Sequence, residues 1–328
     1  MKLSSTVLLA LFSTSAAFSV QQPRANFGRV SSTALNMADV TVAMIKELRG
    51  ATGAGMMDCK KALIEADGDI DAAGDELRKK GLAKADKKSS RVAAEGRISI
   101  GKADDGRTIM VEINCETDFV AKDANFLGFC KNVAGAAASL KDDSVEDLMS
   151  SDIEGGSIED VRTAMVSKIG ENIQVRRMMS RGTADTVTGS YVHMNKIGVL
   201  VEIEGGDEQL AQDVAMHVAA MNPPYATKDD VPEEDLEKER AFLLEQVKDS
   251  GKPANIAEKM VEGRLRKFLE EKCLVSQTYV KTNDKTVGEL LKQSGASMVG
   301  FTRMAVGEGI EKKVDDFAAE VAAMAKGE

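Results

Sequence analysis

The stretch RTIMVEINCETDFVAKDANF, residues 107–126, decides what kind of fold this chain has. Its opening residues alternate. Ile109, Val111, Ile113 and Cys115 fall on one side of an extended chain, as in a strand with one buried face. The period then changes: Asp123 is placed to cap a helix, and Phe126, Phe129, Cys130, Val133 and Ala137 line one side of it. A strand running into a helix makes the chain α+β. Between the two stands Asp118-Phe119, a carboxylate and a large aromatic where turns favour small polar residues. Phe119 is either a plug packed under the loop or an anchor offered to a partner, and spacing leaves both open.

Upstream, GRISIGK and RTIMVEINC flank the turn ADDG as an antiparallel hairpin. Before them, residues 38–92 read as a three-helix domain. Val42, Ile45 and Leu48 end at Gly50, GATGAG turns into MMDCKKALIEA, and Asp69 caps IDAAGDELRKK, which Gly81 closes. The Lys-rich AKADKKSSRVAAEG that follows reads as a linker. Downstream, Ser157-x-x-Asp160 opens a helix running to KIGENI, and NIQVRRM is a strand, which completes a first core unit over 93–185.

TVTGSYVHMN and IGVLVEIEG then form a second hairpin, and Asp207 caps a helix that stops before Pro223-Pro224. This strand–strand–helix echo predicts a two-part core with antiparallel sheets, the second part over 186–231 and 275–309. Into it is inserted a helical coiled-coil hairpin, 232–274, turning at Gly251 and Pro253, with apolar stripes and acid–base pairs on its helices. A C-terminal helical module, 310–328, places Phe317, Val321 and Met324 on one face.

Composition narrows the function. Of 328 residues 43% are hydrophobic but only 4% aromatic, with 17 Met and no Trp, so the core is aliphatic and suited to helices. The net charge is −10, which disfavours a broad nucleic-acid surface and leaves a protein as the better partner. The first 38 residues carry no acid. MKLSSTVLLALFSTSAAFSV has the layout of a signal peptide, and the Ser-rich FSVQQPRANFGRVSSTALNM has that of a transit peptide. Together, residues 1–37 read as a two-part presequence addressing the plastid stroma of an alga with a secondary plastid, with the mitochondrial matrix second. The apolar run is too short to span a bilayer.

Chemistry is hard to place. No GxxxxGK[ST] occurs, which excludes a P-loop NTPase, and GATGAGMMD has Asp58 where a dinucleotide fingerprint needs its third Gly. Cys59, Cys115, Cys130 and Cys273 form no CxxC pair. With only His193 and His217 beside them they offer no zinc spacing, and they read as reduced, buried thiols. A thiol enzyme would need Cys115 with a lowered pKa and one of these histidines, yet Cys115 lies on the apolar face of its strand. His217, in AQDVAMHVAA, reads as a packed helix residue.

KELRGATGAGMMDCKKALIEADGDIDAA, NCETDFVAKDANF, KIGENIQVRR, GSYVH, IGVLVEI, AMHVAA, SGKP, IAEKMVEGR and DFAAEVAAM occur in order from residue 39 to the end. Together they closely resemble elongation factor Ts, the family of nucleotide exchange factors for elongation factor Tu. That resemblance implies a ubiquitin-associated-like three-helix domain, a two-part α+β core, an inserted coiled-coil hairpin and a terminal helix. It implies a non-enzymatic factor without cofactor or metal, which contacts GDP-bound and nucleotide-free Tu without itself touching nucleotide, nucleic acid or membrane. It also assigns residues: Asp118 and Phe119 as a wedge aimed at the Mg²⁺ and phosphate side of the Tu nucleotide site, and Arg49, Met56, Met57, Ile169, Gly170 and His193 as docking positions. His193 is followed by Met194-Asn195, where bacterial relatives often carry Gly-Ala, which puts the shape of that loop in question. Two further readings accompany this one: a Ts-like scaffold without exchange activity, and a homodimer paired through the helical hairpin.

Overall fold

A computed structural model describes residues 40–248 and 254–311. The presequence, the hairpin turn at Gly251 and Pro253, and the terminal helix with Phe317, Val321 and Met324 lie outside the described residues. The described part is a mixture of helices and antiparallel sheets.

The chain begins with α1 (Val42–Thr52), α2 (Met56–Glu65) and α3 (Ile70–Ser89). Thr41 caps α1, and Asp69 caps α3 through the Ala72 N–H at 3.0 Å. Their common core is small: Ile45, Leu48, Cys59, Ala62, Leu63 and Ala73. Three expectations fail here. α1 runs past Gly50 to Thr52, and it is Gly53, in the left-handed conformation, that ends it. Val42 does not join Ile45 and Leu48 inside but is 63% exposed. Nor does Gly81 stop α3, which runs eight residues further, to Ser89, through the expected linker. Gly81 is buried against Thr163 and Ser167, so it marks close helix packing, and Ala85 beyond it is buried in the main core.

Two three-stranded antiparallel sheets follow. The first contains β1 (Glu95–Lys102), β2 (Thr108–Cys115) and β5 (Gln174–Arg181), with β2 central. The second contains β6 (Val187–His193), β7 (Ile197–Glu204) and β8 (Ser297–Ala305), with β7 central. On the first sheet α4 (Ala124–Ala137) lays Phe126, Phe129, Cys130, Val133 and Ala137 over Ile109, Val111, Ile113 and Cys115. On the second, α7 (Glu208–Met221) lays Ala211, Val214, Ala215 and Val218 over Val199, Val201 and Ile203. The opposite faces of the sheets meet through Ile98, Met110, Leu200 and Met304. The order of layers is helix, sheet, sheet, helix.

This layering corrects the one-faced reading of β2. Every residue of β2 is buried, because its even positions face the second sheet. Such stacking requires close approach: a Cβ on Gly198 would stand 2.4 Å from Met110 Sδ and 2.5 Å from Ile98 Cγ2. The central strands also share the tripeptide Val-Glu-Ile, and the pairings of β2 with β5 and of β7 with β8 slip right after the Glu, at Glu112 and at Glu202.

Between α4 and β5 lie α5 (Val145–Ser150), the short pair β3 (Asp152–Ile153) and β4 (Gly156–Ser157), and α6 (Ile158–Ile169). The sequence pattern predicts α6 but neither α5 nor the short pair. Ser157 caps α6 as expected, accepting from the Asp160 N–H at 3.1 Å, while the Asp160 carboxylate takes Arg78 at 2.7 Å. Between α7 and β8 come α8 (Glu233–Lys248), α9 (Ala254–Lys272) and α10 (Val287–Gln293), the last with a complete capping box of Thr286 and Glu289. The α8–α9 pair has a private core of Leu243, Val247 and Val261, and exposes Phe242, Leu244 and Ile256.

Candidate partner-binding site

Beyond Cys115 the chain leaves β2 and makes a tight turn into the 3-10 segment Val120–Lys122 before Asp123 caps α4. Val120 and Ala121 are buried, which fixes the far side of the turn. Asp118 and Phe119 are thereby pushed outward. Phe119 is 80% exposed, so the plug reading does not describe it. Asp118 pairs with Lys122 at 2.7 Å; that contact, aided by the positive charge of Lys196, holds its carboxyl below the usual aspartate range.

The turn is held from beneath by the segment after α6. The Glu171 carboxylate accepts from the Glu116 N–H at 3.2 Å, the Thr117 N–H at 3.0 Å and the Thr117 hydroxyl at 2.7 Å. In return, the Glu116 carboxylate accepts the Asn172 N–H at 2.5 Å and pairs with Arg91 at 2.7 Å. Asn172 then donates to the carbonyls of Ser89, at 3.2 Å, and Arg91, at 2.7 Å, and Lys88 donates to the carbonyl of Gly170. The end of α3, the loop after α6 and the Asp118-Phe119 turn are one hydrogen-bonded unit.

Of the positions that the resemblance assigns to docking, Ile169 and Gly170 stand at this unit. Ile169 packs partly into the first core, and Gly170 ends α6 with φ +90, a left-handed position that costs glycine no Cβ clash. The α1–α2 turn lies against the last turns of α6: a side chain on Gly53 would touch Lys168 at 3.7 Å, and a groove of about 390 Å³ runs between them. Met56 and Met57, the first residues after that turn, are 47% and 65% exposed, and Arg49 is also exposed. Both methionines are free because α2 buries Cys59, Ala62 and Leu63 instead.

His193 is exposed at the end of β6, with Nδ1 3.2 Å from the Tyr191 hydroxyl. The doubtful loop beside it is a two-residue turn. Met194 and Asn195 have φ 49 and 61, and the Lys196 N–H donates to the His193 carbonyl at 2.9 Å, the geometry of a type I′ hairpin. The turn is pinned to the first sheet by Arg97 on the Asn195 side chain at 2.7 Å, the Ile98 N–H on its carbonyl at 2.9 Å and Lys196 on Glu95 at 2.5 Å. Hydrogen bonds therefore join Gly170, Glu171 and Asn172 to the end of α3 and to the backbone just before Asp118-Phe119, and the hairpin turn after His193 is held separately on β1.

The thiol and histidine candidates are otherwise engaged. Cys115 is fully buried and donates to the Thr117 carbonyl at 3.1 Å; burial, with the negative charge of Glu171, pushes its pKa up to about 12. A nucleophile needs the reverse shift. His217 is also buried, bonded to Gln277 at 3.0 Å and to the Val280 N–H at 3.2 Å, and burial lowers its pKa against the opposing pull of Gln277. Among the described residues, no group of acidic, Cys and His side chains could hold a metal, and no helix is long and apolar enough to cross a membrane.

The sequence reading missed Glu171, Glu116, Asn172 and Arg91. All but Arg91 lie within motifs quoted for the family resemblance, but the bonds of Glu171 and Asn172 join positions more than fifty residues apart, and even Arg91 and Glu116 are on different elements, which no local spacing encodes.

Residues 116–308 match the family model described as Elongation factor TS. Elongation factor Ts of Alkalilimnicola ehrlichii is 54% identical over 289 residues, covering 88% of this chain and 99% of the relative. That of Thioalkalivibrio sulfidiphilus is 52% identical over 290 residues with the same coverage, and that of Xanthomonas euvesicatoria is 52% identical over 286 residues, 86% of this chain and 97% of the relative.

Proposed function

The chain belongs to the elongation factor Ts family, and from that premise we propose that it promotes GDP release from elongation factor Tu, allowing GTP to reload. Asp118 and Phe119 act as a wedge on the Mg²⁺ and phosphate side of the Tu nucleotide site. The supporting observation is an aromatic ring 80% exposed on a turn whose backbone is clamped by Glu171. A large apolar side chain held in water on a rigid support has no role in its own fold and is suited to fill a cleft in a partner.

Exchange by this route needs no covalent step, and we assign the protein no enzymatic activity and no cofactor. It must bind the opened, nucleotide-free Tu better than the GDP-bound form. By reciprocity, whatever affinity it removes from GDP, GDP removes from it. Displacing the groups around Mg²⁺ weakens the cation's hold on the phosphate oxygens. Burial of Phe119, worth about 1.5–3 kcal/mol, offsets one to two decades of that distortion. The rest falls to docking by Arg49, Met56, Met57, Ile169, Gly170 and His193, where adaptable methionines suit a partner surface.

We place the protein in an algal plastid on the presequence composition, with the mitochondrion as the alternative. A fluorescent reporter fused to residues 1–37 tests the address. The activity is tested by release of fluorescent GDP from Tu with and without residues 38–328. Catalytic acceleration that Phe119→Ala weakens supports the wedge; binding without acceleration would leave a scaffold.

A further inference from the structure

We infer that Glu171 is the positioning residue of the wedge, acting with Glu116 in a reciprocal lock. The inference rests on the proposed exchange reading and adds to it the device that aims the wedge. Glu171 accepts the N–H groups of Glu116 and Thr117 together with the Thr117 hydroxyl, and Glu116 accepts the N–H of Asn172 next to Glu171. Each carboxylate thus fixes the backbone beside the other. Bonds of this kind, with a charged acceptor, are shorter and stronger than neutral ones. They act on the two residues directly preceding Asp118, where a change in backbone angle would swing the Phe119 ring.

The lock has a second tier. Glu116 also pairs with Arg91, and Asn172 donates to the Ser89 and Arg91 carbonyls, so the last residues of α3 are part of it. The helix that carries the three-helix module therefore ends on the support of the wedge. Displacement of a reacting or wedging group by about 1 Å can cost up to about a hundredfold in rate, so a support of this type governs the maximal rate more than affinity.

The test uses the full chain with Tu carrying fluorescent GDP, titrated to saturation. Glu171→Ala is expected to lower the maximal release rate about tenfold, with the half-saturating concentration changed by less than about threefold. Glu171→Gln, which keeps an oxygen for the two N–H groups, is expected to restore most of the rate. In the free protein, hydrogen exchange at the Glu116 and Thr117 amides should accelerate in Glu171→Ala while the amides of Val111 to Ile113 stay as protected as before. An unchanged maximal rate, a loss that matches the fraction unfolded, or a rise in half-saturation alone would overturn the assignment. Phe119→Ala in the same titration separates the two ideas. If it slows release and Glu171→Ala does not, only the lock fails; if it too leaves release unchanged, the wedge reading fails with it.

Discussion

Glu112 has no solvent exposure in the middle of β2, yet its carboxylate is fully engaged. It accepts from Arg177 at 2.5 Å, Arg176 at 3.2 Å, Asn114 at 3.0 Å and the Gly307 N–H at 2.8 Å. Burial acts to raise its pKa, but the Gly307 N–H, Asn114 and Arg177 outweigh it and hold the pKa below 4.5. With the folded value below the unfolded one, its contribution is full above about pH 4.5 and fades as pH falls through the folded pKa. Glu112→Ala is expected to cost about 3 kcal/mol at pH 7 in urea unfolding, with the gap to wild type closing in acid. Phe119→Ala is expected to change stability by less than about 0.5 kcal/mol, since the ring touches little. Met194→Gly should raise stability by about 0.5–1 kcal/mol, read as a shift in the urea midpoint, because φ 49 strains any residue with a Cβ. The side chains that face solvent or core were partly legible from alternation: Cys115 and the α4 stripe could be read directly. Glu112 could not, although VEI stands in both quoted strands, since a charged residue in a strand reads as solvent-facing until a second sheet covers it.

Among elements, α3 shows why helix ends were the least legible feature. Glycine ends helices when its left-handed conformation is used, as at Gly53 and Gly170, but Gly81 lacks that conformation and is chosen for size. The sequence offers the same letter for both purposes. Gly198 is the corresponding case in a strand. Gly198→Ala is expected to destabilise by about 1–3 kcal/mol, because the methyl would collide with Met110 and Ile98 between the sheets; a neutral urea midpoint would mean the sheets can part. Asp123→Ala removes the cap that accepts the Asn125 and Phe126 N–H groups at 2.8 and 3.3 Å, and should cost about 1 kcal/mol.

At the scale of the molecule, the order of elements and the two-part echo were readable from hairpin turns and caps, whereas the face-to-face contact of the sheets was not. That contact depends on Met110, Leu200, Ile98 and Met304 meeting from strands as far apart in sequence as β1 and β8. Local stability should follow the size of each core. Hydrogen exchange is expected to reach α8 and α9 first, the three-helix module next, and β2 and β7 last; simultaneous exchange throughout would contradict this. The α8–α9 pair has one further property. The chain departs at Tyr225 and comes back at Cys273 in neighbouring positions, with Leu274 and Val275 donating to the carbonyls of Tyr225 and Ala226 at 2.9 and 3.1 Å. Exit and return are thus stitched together before the hairpin begins, and the hairpin keeps its apolar cluster to itself. It has the layout of a cassette, tied to the body only near its base by Tyr225 on Asp235 and Gln277 on the Glu271 carbonyl, and a splice of about four to six residues in its place is expected to leave the amides of β2 and β7 protected.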